Sequence, residues 1–472
     1  MSERLVSDVI VRCDLAILVY FVLVNSFYFV LLISAGLELR RHRRRTWVES
    51  LWKVAASDLA PKITMLAPAY NEEATVVASV RALLTLNYSR LEVIVVNDGS
   101  TDGTLAALQD AFELQPIPPV FRIEVDSAQL IGVHRSRTSP QLLVVDKVNR
   151  GKADALNAGL NLSTGSLVCA IDADTIIEPD ALLRMVRPFL ADHRVVAVGG
   201  TIRVVNGSAV AAGRVVNVRT PRRALPGVQS VEYLRAFLFG RLGWNRLGGN
   251  LIISGAFGLF DRDAMVRSGG YVRDTVGEDM ELVARLRRES YDAGTPGIVR
   301  FIPDPVAWTE VPSSLRVLGR QRDRWQRGLA DVLWRNRRVA FNPRYGVLGM
   351  VVMPYFILVE LLGPVIEAVG LLTLAAGLAL GYLNVSFAIV FFLVAYGYGL
   401  VLTAVTLALE EFSYRRFPRL RDLALLLAWG VLENVGYRQV TVVWRLRGMW
   451  KYLRRNTEWG AMARQGFADA PP

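Results

Sequence analysis

Cysteine and histidine are scarce in this 472-residue chain, which has two of the first, Cys13 and Cys169, and three of the second, His42, His134 and His193. One cysteine adjoins a hydrophobic segment and the other sits inside an apolar run, so no disulfide framework or thiolate zinc site can be argued from them. The histidines are scattered, which speaks against a His-built metal site. A GxxxxGK[ST] loop is also missing, and this counts against ATP hydrolysis. Charge is sparse and tilted to one sign, with 21% charged residues, 55 Lys+Arg against 43 Asp+Glu, and a formal net charge of +12. Such a surplus suits nucleic acid, anionic lipid or a phosphorylated substrate. With 52% hydrophobic residues and a mean hydropathy of +0.30, the chain is too apolar for an ordinary soluble enzyme.

The apolar residues are concentrated at the two ends. Leu15 to Leu37 carries no charge, and at about 1.5 Å per residue it spans a ~30 Å hydrocarbon core. The arginine block Arg40 to Arg45 behind it reads as a stop-transfer signal rather than the flank of a cleaved leader, which places the N-terminus outside and the following chain in the cytoplasm. A second apolar region runs Val347 to Leu383, Val385 to Leu409 and Leu423 to Trp444. Its last segment contains Glu433, Asn434, Arg438 and Gln439, which lipid does not tolerate unpaired, so a re-entrant or channel-lining element is expected there. Before this region lies an arginine-rich amphipathic stretch, Ser313 to Arg338, with Leu315, Leu318, Trp325, Leu329 and Trp334. It suits a helix in the membrane interface, and the flanking apolar segments argue against nucleic acid. The expected division is 1–45, an N-terminal transmembrane helix; 46–312, a cytoplasmic α/β domain; 313–346, the interfacial helix; 347–445, transmembrane or re-entrant helices; and 446–472, a basic cytoplasmic tail.

Between Lys62 and Gly200 short β-rich runs alternate with helical stretches. Strands are expected at 63–67, 91–97, 142–145, 167–172 and 195–200, and helices at 74–86, 104–114, 153–162 and 180–189. This alternation implies a mostly parallel sheet covered on both faces, a Rossmann-like nucleotide-binding architecture whose ligands sit at the carboxyl ends of the strands. Three motifs fall at that edge: Pro68-Ala69-Tyr70-Asn71-Glu72-Glu73, Asn97-Asp98-Gly99-Ser100, and the D-x-D pair Asp172 and Asp174. Two carboxylates about 4 Å apart repel by roughly 4 kcal/mol at an effective dielectric near 20, and a divalent metal holding a diphosphate would relieve that. Acidic caps at a helix start are the competing explanation, as an Asp-Gly turn is for Asp98. Gly151-Lys152-Ala153-Asp154 opens a helix and offers N–H groups and a lysine to an anion. Glu278 and Asp279 start a helix, where they could be favourable first-turn acids.

Together with Gln321-Arg322-Asp323-Arg324-Trp325, these motifs, in this order and between apolar ends, resemble the inverting family 2 glycosyltransferases, the processive membrane synthases in particular. The resemblance covers essentially Leu15 to the C-terminus. It implies a GT-A catalytic domain in which Ala69, Tyr70, Glu72, Asp98, Lys152 and Asp172 bind the donor nucleotide and Asp172 with Asp174 holds Mg²⁺ or Mn²⁺. Asp279, beside Glu278, takes the place of the catalytic T-E-D aspartate, with Gly277 where many members have threonine. Gln321, Arg324 and Trp325 match Q-x-x-R-W, assigned to the diphosphate and the acceptor, and Ser254-Gly255 matches the segment lining the acceptor's end. GKADALNAG and GEDMELVARLRR look like poly-β-1,6-N-acetylglucosamine synthases, with hyaluronan synthases nearby. The implied partners are a UDP-sugar, a growing polysaccharide and the lipid bilayer, without nucleic acid and with room for accessory membrane or envelope subunits. The implied location is a bacterial inner (plasma) membrane, multi-pass. A single addition to a lipid-linked acceptor is the alternative activity.

Overall fold

The computed structural model describes residues 3–48, 60–172, 175–211, 213–381, 385–414 and 419–455. The described residues form two compact units, one of residues 39–221 with 248–311, the other of residues 3–38, 222–247 and 312–455.

The first unit is built on β1 (Ile63–Ala69), β2 (Leu91–Asn97), β3 (Leu114–Pro116), β4 (Leu130–Ser136), β5 (Leu142–Lys147), β6 (Leu167–Ile171), β7 (Ile176–Ile177), β8 (Val195–Val204), β9 (Ala209–Ala211), β10 (Arg214–Asn217), β11 (Phe257–Asp261) and β12 (Ile298–Thr309). Ten of these make one sheet in the order β3-β4-β5-β2-β1-β6-β11-β8-β12-β7, while β9 and β10 pair as a hairpin. The pairings set β3, β5, β2, β1, β6, β8 and β12 in one direction and β4, β11 and β7 in the other. This is the α/β, mostly parallel sheet expected from the alternation. Its inner strands are continuous apolar runs, as strands buried on both faces must be. Leu66, Ile94, Val96 and Val145 pack in the same core as Ala155, Leu156 and Leu160 of the helix Lys152–Leu162. Each such aliphatic side chain contributes about 1.5–3 kcal/mol when buried.

Parallel pairing brings the ends of β1, β2, β5 and β6 to one edge. β11 was not anticipated. It runs back between β6 and β8 with Phe257 opposite Ile171, so Ser254, Gly255 and Ala256 arrive at that same edge. The expected helix 180–189 is two short pieces, Ala181–Met185 and Arg187–Ala191, because Pro188 has no N–H with which to continue the ladder.

The second unit is helical. Its first helix belongs to a continuous run, Glu3–Val48. Among the described residues one helix, Ile10–Arg44, is long and apolar enough to cross a bilayer, and Leu348–Leu361 with Gly363–Ala379, bent by 41°, passes the same test as a pair. The segment 423–444 is not one rod. The helix Leu420–Leu432 gives way at Val435 (φ −106°) and Gly436 (φ +82°) before Arg438–Leu453 resumes. Its polar groups have partners: Glu433 pairs with Arg235, Arg438 Nε donates to Glu367 at 2.7 Å, and Gln439 Nε2 donates to the Tyr396 hydroxyl at 3.3 Å.

Candidate active site

The loops after β1 and β2 are laced together at the sheet edge. Thr101 N donates to Asn71 Oδ1 at 2.8 Å, Asn71 N to Ser100 Oγ at 3.0 Å, and Glu72 N to Thr104 Oγ1 at 2.9 Å. Asn71 accepts a left-handed backbone (φ +55°) to make this turn. The outcome is a fixed platform with Tyr70 half exposed on it and the Thr75 hydroxyl donating to Glu72 Oε2 at 2.8 Å. Ala69, the last residue of β1, is buried, and its carbonyl accepts from Asp98 N at 2.9 Å.

Asp98 is turned inward. Its Oδ1 accepts from Lys147 Nζ and from Arg150 N at 3.1 Å, and its Oδ2 from Gly151 N at 2.8 Å. The tight approach of this loop to the next requires Gly99, whose φ is +62° and whose hypothetical Cβ would lie 2.8 Å from Asn149 N. Gly99→Ala should therefore destabilise the protein by more than about 1 kcal/mol, seen as a lower melting temperature of the detergent-purified chain; an unchanged melt would contradict this packing.

Lys152 sits at the first turn of its helix and gathers the acids. Its Nζ donates to Asp172 Oδ1 at 2.6 Å and lies 3.3 Å from Glu278 Oε1. Burial alone would lower its pKa, but Asp172, Glu278 and Asp279 together raise it well above the usual lysine value. Asp279 is held at both oxygens, Oδ2 by Gly255 N at 2.9 Å and Oδ1 by Met280 N at 2.7 Å. Burial, then the neighbouring Glu278, pushes its carboxyl up, against the lowering pull of Lys152 and the two N–H donors. A small cleft is lined by Lys152, Ser254, Gly255, Tyr271, Glu278 and Asp279, among others.

The structure thus brings together Lys152, Asp172, Ser254, Gly255, Glu278 and Asp279, which lie far apart in sequence. Asp174 lies outside the described residues. Gln321, Arg324 and Trp325 lie on the helix Leu315–Arg335 of the helical unit. There the Arg322 guanidinium stacks 4.5 Å over the Trp325 ring and pairs with Glu232. Sequence reasoning missed Lys147, which is fully buried, and Tyr271, which lines the cleft. A lysine ending an otherwise apolar strand, next to Asp146, was the available signal for the first.

Among the described residues no group of three or more His, Cys, Asp or Glu could hold a metal ion. A cation of the Mg²⁺ class is bound through one or two carboxylates and completes its shell on substrate phosphates. The donor set offered by Asp172 is hard oxygen, and Asp172 already faces a cationic group, the Lys152 ammonium. Asp172 thus supplies a hard-oxygen donor of the kind a divalent ion takes.

The family model for glycosyl transferase family 2 matches residues 64–265, and that for glycosyl transferase family group 2 matches 167–402. The chain is 30% identical over 275 residues to poly-beta-1,6-N-acetyl-D-glucosamine synthase of Staphylococcus aureus strain COL, covering 58% of this chain and 56% of that protein. It is 29% identical over 275 residues, with the same two coverages, to the synthase of the same name from Staphylococcus epidermidis. The match spans little more than half the length of these relatives. Among solved structures, a mannosyltransferase from Pyrobaculum calidifontis in complex with GDP-Man and Mn²⁺ shares the fold, with a TM-score of 0.51 at 21% identity over 90% of this chain and 99% of that one.

Proposed function

Because the chain belongs to glycosyl transferase family 2, we propose that it is an inverting enzyme that polymerises a UDP-sugar into a β-linked polysaccharide and extrudes it across a membrane. The observation that carries the reading is the convergence of Asp172 and Glu278 on the Lys152 ammonium, with Asp279 held beside them by Gly255 N. The staphylococcal relatives, named for a poly-N-acetylglucosamine product, make UDP-N-acetylglucosamine the first donor to test. The proposed location is a bacterial inner membrane, with Ile10–Arg44 as a span and the sheet-bearing unit in the cytoplasm.

In this reading Ala69, Tyr70, Glu72 and Asp98 hold the nucleotide, and Lys152 meets the diphosphate's charge. Asp172 with Asp174 holds Mg²⁺ or Mn²⁺, an ion of the kind found beside GDP-Man in the mannosyltransferase. Bound there, the ion would neutralise the leaving diphosphate. Gln321, Arg324 and Trp325 take the diphosphate and acceptor roles that the Q-x-x-R-W motif implies.

The chain's own contribution to the chemistry is a positioned base. Two backbone N–H groups fix the Asp279 rotamer, and burial makes it a stronger base than an exposed carboxylate. Asp279 takes the proton of an acceptor hydroxyl, and the oxygen attacks the anomeric carbon from the face opposite the diphosphate. The bond to the diphosphate oxygen breaks and UDP departs with the electron pair. One displacement inverts the configuration, so an α-linked donor gives a β-linkage.

UDP release from a panel of UDP-sugars tests the reading. Release with at least one donor is expected, abolished by EDTA and restored by excess Mg²⁺ or Mn²⁺. A purified, folded chain that releases no UDP from any donor would mark a degenerate transferase fold used for binding alone.

A further inference from the structure

Beneath the nucleotide platform lies a buried ion-pair network that the proposed chemistry does not use. Lys147, at the end of β5, has no exposed side-chain surface, and its Nζ meets three acceptors: Asp98 Oδ1, Asp154 Oδ1 at 2.9 Å and the Val148 carbonyl at 2.8 Å. An ammonium has three protons to donate, and here each has a receiver. Asp154 is equally buried. Its Oδ1 also accepts from Ala128 N at 3.0 Å, and its Oδ2 pairs with Arg273 Nη1 at 2.8 Å. Arg273 reaches outward to Asp126.

Removing an ammonium and two carboxylates from water is costly, and apolar residues of similar volume commonly serve stability as well or better. The network's geometric product is specific, however. It fixes Asp98 in one rotamer, with Lys147 and Arg150 N on one oxygen and Gly151 N on the other. Each of these three groups is a donor, so Asp98 is held as an acceptor. Asn149 Nδ2 bonds the Asp98 carbonyl at 2.7 Å, tying the same loop to the start of the Lys152 helix.

We propose that the buried Lys147–Asp154 pair is a positioning element that presents Asp98 as a fixed hydrogen-bond acceptor to the donor's base, selecting uridine over cytidine nucleotides. The inference rests on the reading of Asp98 as part of the nucleotide site. A fixed acceptor matches the ring N3–H of uracil. Cytosine carries a lone pair at the same ring position, which would face the carboxylate oxygen without a proton between them. The discrimination follows from leaving polar groups unpaired, the strongest kind a binding site has.

The test measures UDP and CDP binding, together with KM and kcat for UDP-N-acetylglucosamine, on the full-length protein and on Lys147→Met and Arg273→Gln. Loss of a well-placed hydrogen bond to a charged group is worth about tenfold, so K147M should raise KM and weaken UDP by about that factor. Its UDP-over-CDP preference should collapse similarly while kcat holds. R273Q alters a side chain that is 35% exposed, which folding tolerates, and should reduce the same preference by a smaller factor. A purely structural network would lower the melting temperature and leave the UDP-to-CDP ratio alone. That ratio unchanged in folded K147M, or in R273Q should K147M fail to fold, overturns the inference while leaving the proposed function standing. A wild-type protein that binds neither UDP nor UDP-sugars overturns both.

Discussion

Asp279→Asn is expected to lower sugar transfer by roughly 10²- to 10⁴-fold, the range that general-base help supplies, with donor binding nearly intact. Asparagine is isosteric and can still accept one of the bonds from Gly255 N and Met280 N, so the loop before β11 keeps its anchor. What disappears is the group that receives the proton. UDP release and UDP titration on the same preparation separate the two effects. Wild-type turnover in D279N would remove Asp279 from the role of base. The wild-type pH dependence carries a second signature. Burial first and Glu278 second raise the Asp279 pKa, and a base must be ionised to act. Activity is therefore present above the raised pKa and is lost as pH falls through it, at a higher pH than the ordinary aspartate value of about 3.9 would give.

Lys152→Met is expected to be nearly as damaging, for a different reason. Its ammonium faces all three acids, Asp172, Glu278 and Asp279. Removing a preorganised charge that meets developing negative charge typically costs about 10²–10³ in rate. Asp172 and Glu278 would also lose their contact at the cleft. Because Lys152 lowers the Asp279 pKa in the wild type, its loss must raise that pKa further. The acid limb of kcat/KM should move to higher pH in K152M and return toward wild type in Lys152→Arg, which keeps the charge. A pH profile of the three proteins checks this, and an unmoved limb in K152M would show that Lys152 and Asp279 do not sense one another.

Much of the sheet was readable because its central strands are buried on both faces. β1, β2, β5, β6 and β8 are mostly apolar runs followed by turn-forming residues, and the helices between them carry helical spacing. β12 was not among the expected strands, and it contains Pro303 and Pro305, which disfavour a strand. The strand accommodates them through register shifts between Ile302 and Ala307 against β8, a bulge of the kind where proline is tolerated. β11 lies outside the strand-helix alternation, and its place between β6 and β8 depends on long-range pairing. Of the cleft, Lys152, Asp172, Glu278 and Asp279 were legible as motif residues at strand ends and helix starts. Their convergence on a single ammonium was not, because it depends on β11 and the helix Glu278–Asp292 folding back over the edge of β6. Lys147 was illegible for a related reason: a buried lysine has meaning only once Asp98 and Asp154, from two other elements, are seen around it.

The most direct test incubates the detergent-purified chain with UDP-N-acetylglucosamine and Mg²⁺ or Mn²⁺, then determines product mass and anomeric configuration. A ladder of β-linked oligomers separated by one N-acetylhexosamine each is the predicted result. A product with retained α configuration would contradict the single displacement assigned to Asp279, and a lone sugar on a lipid acceptor would replace polymerisation with a single transfer.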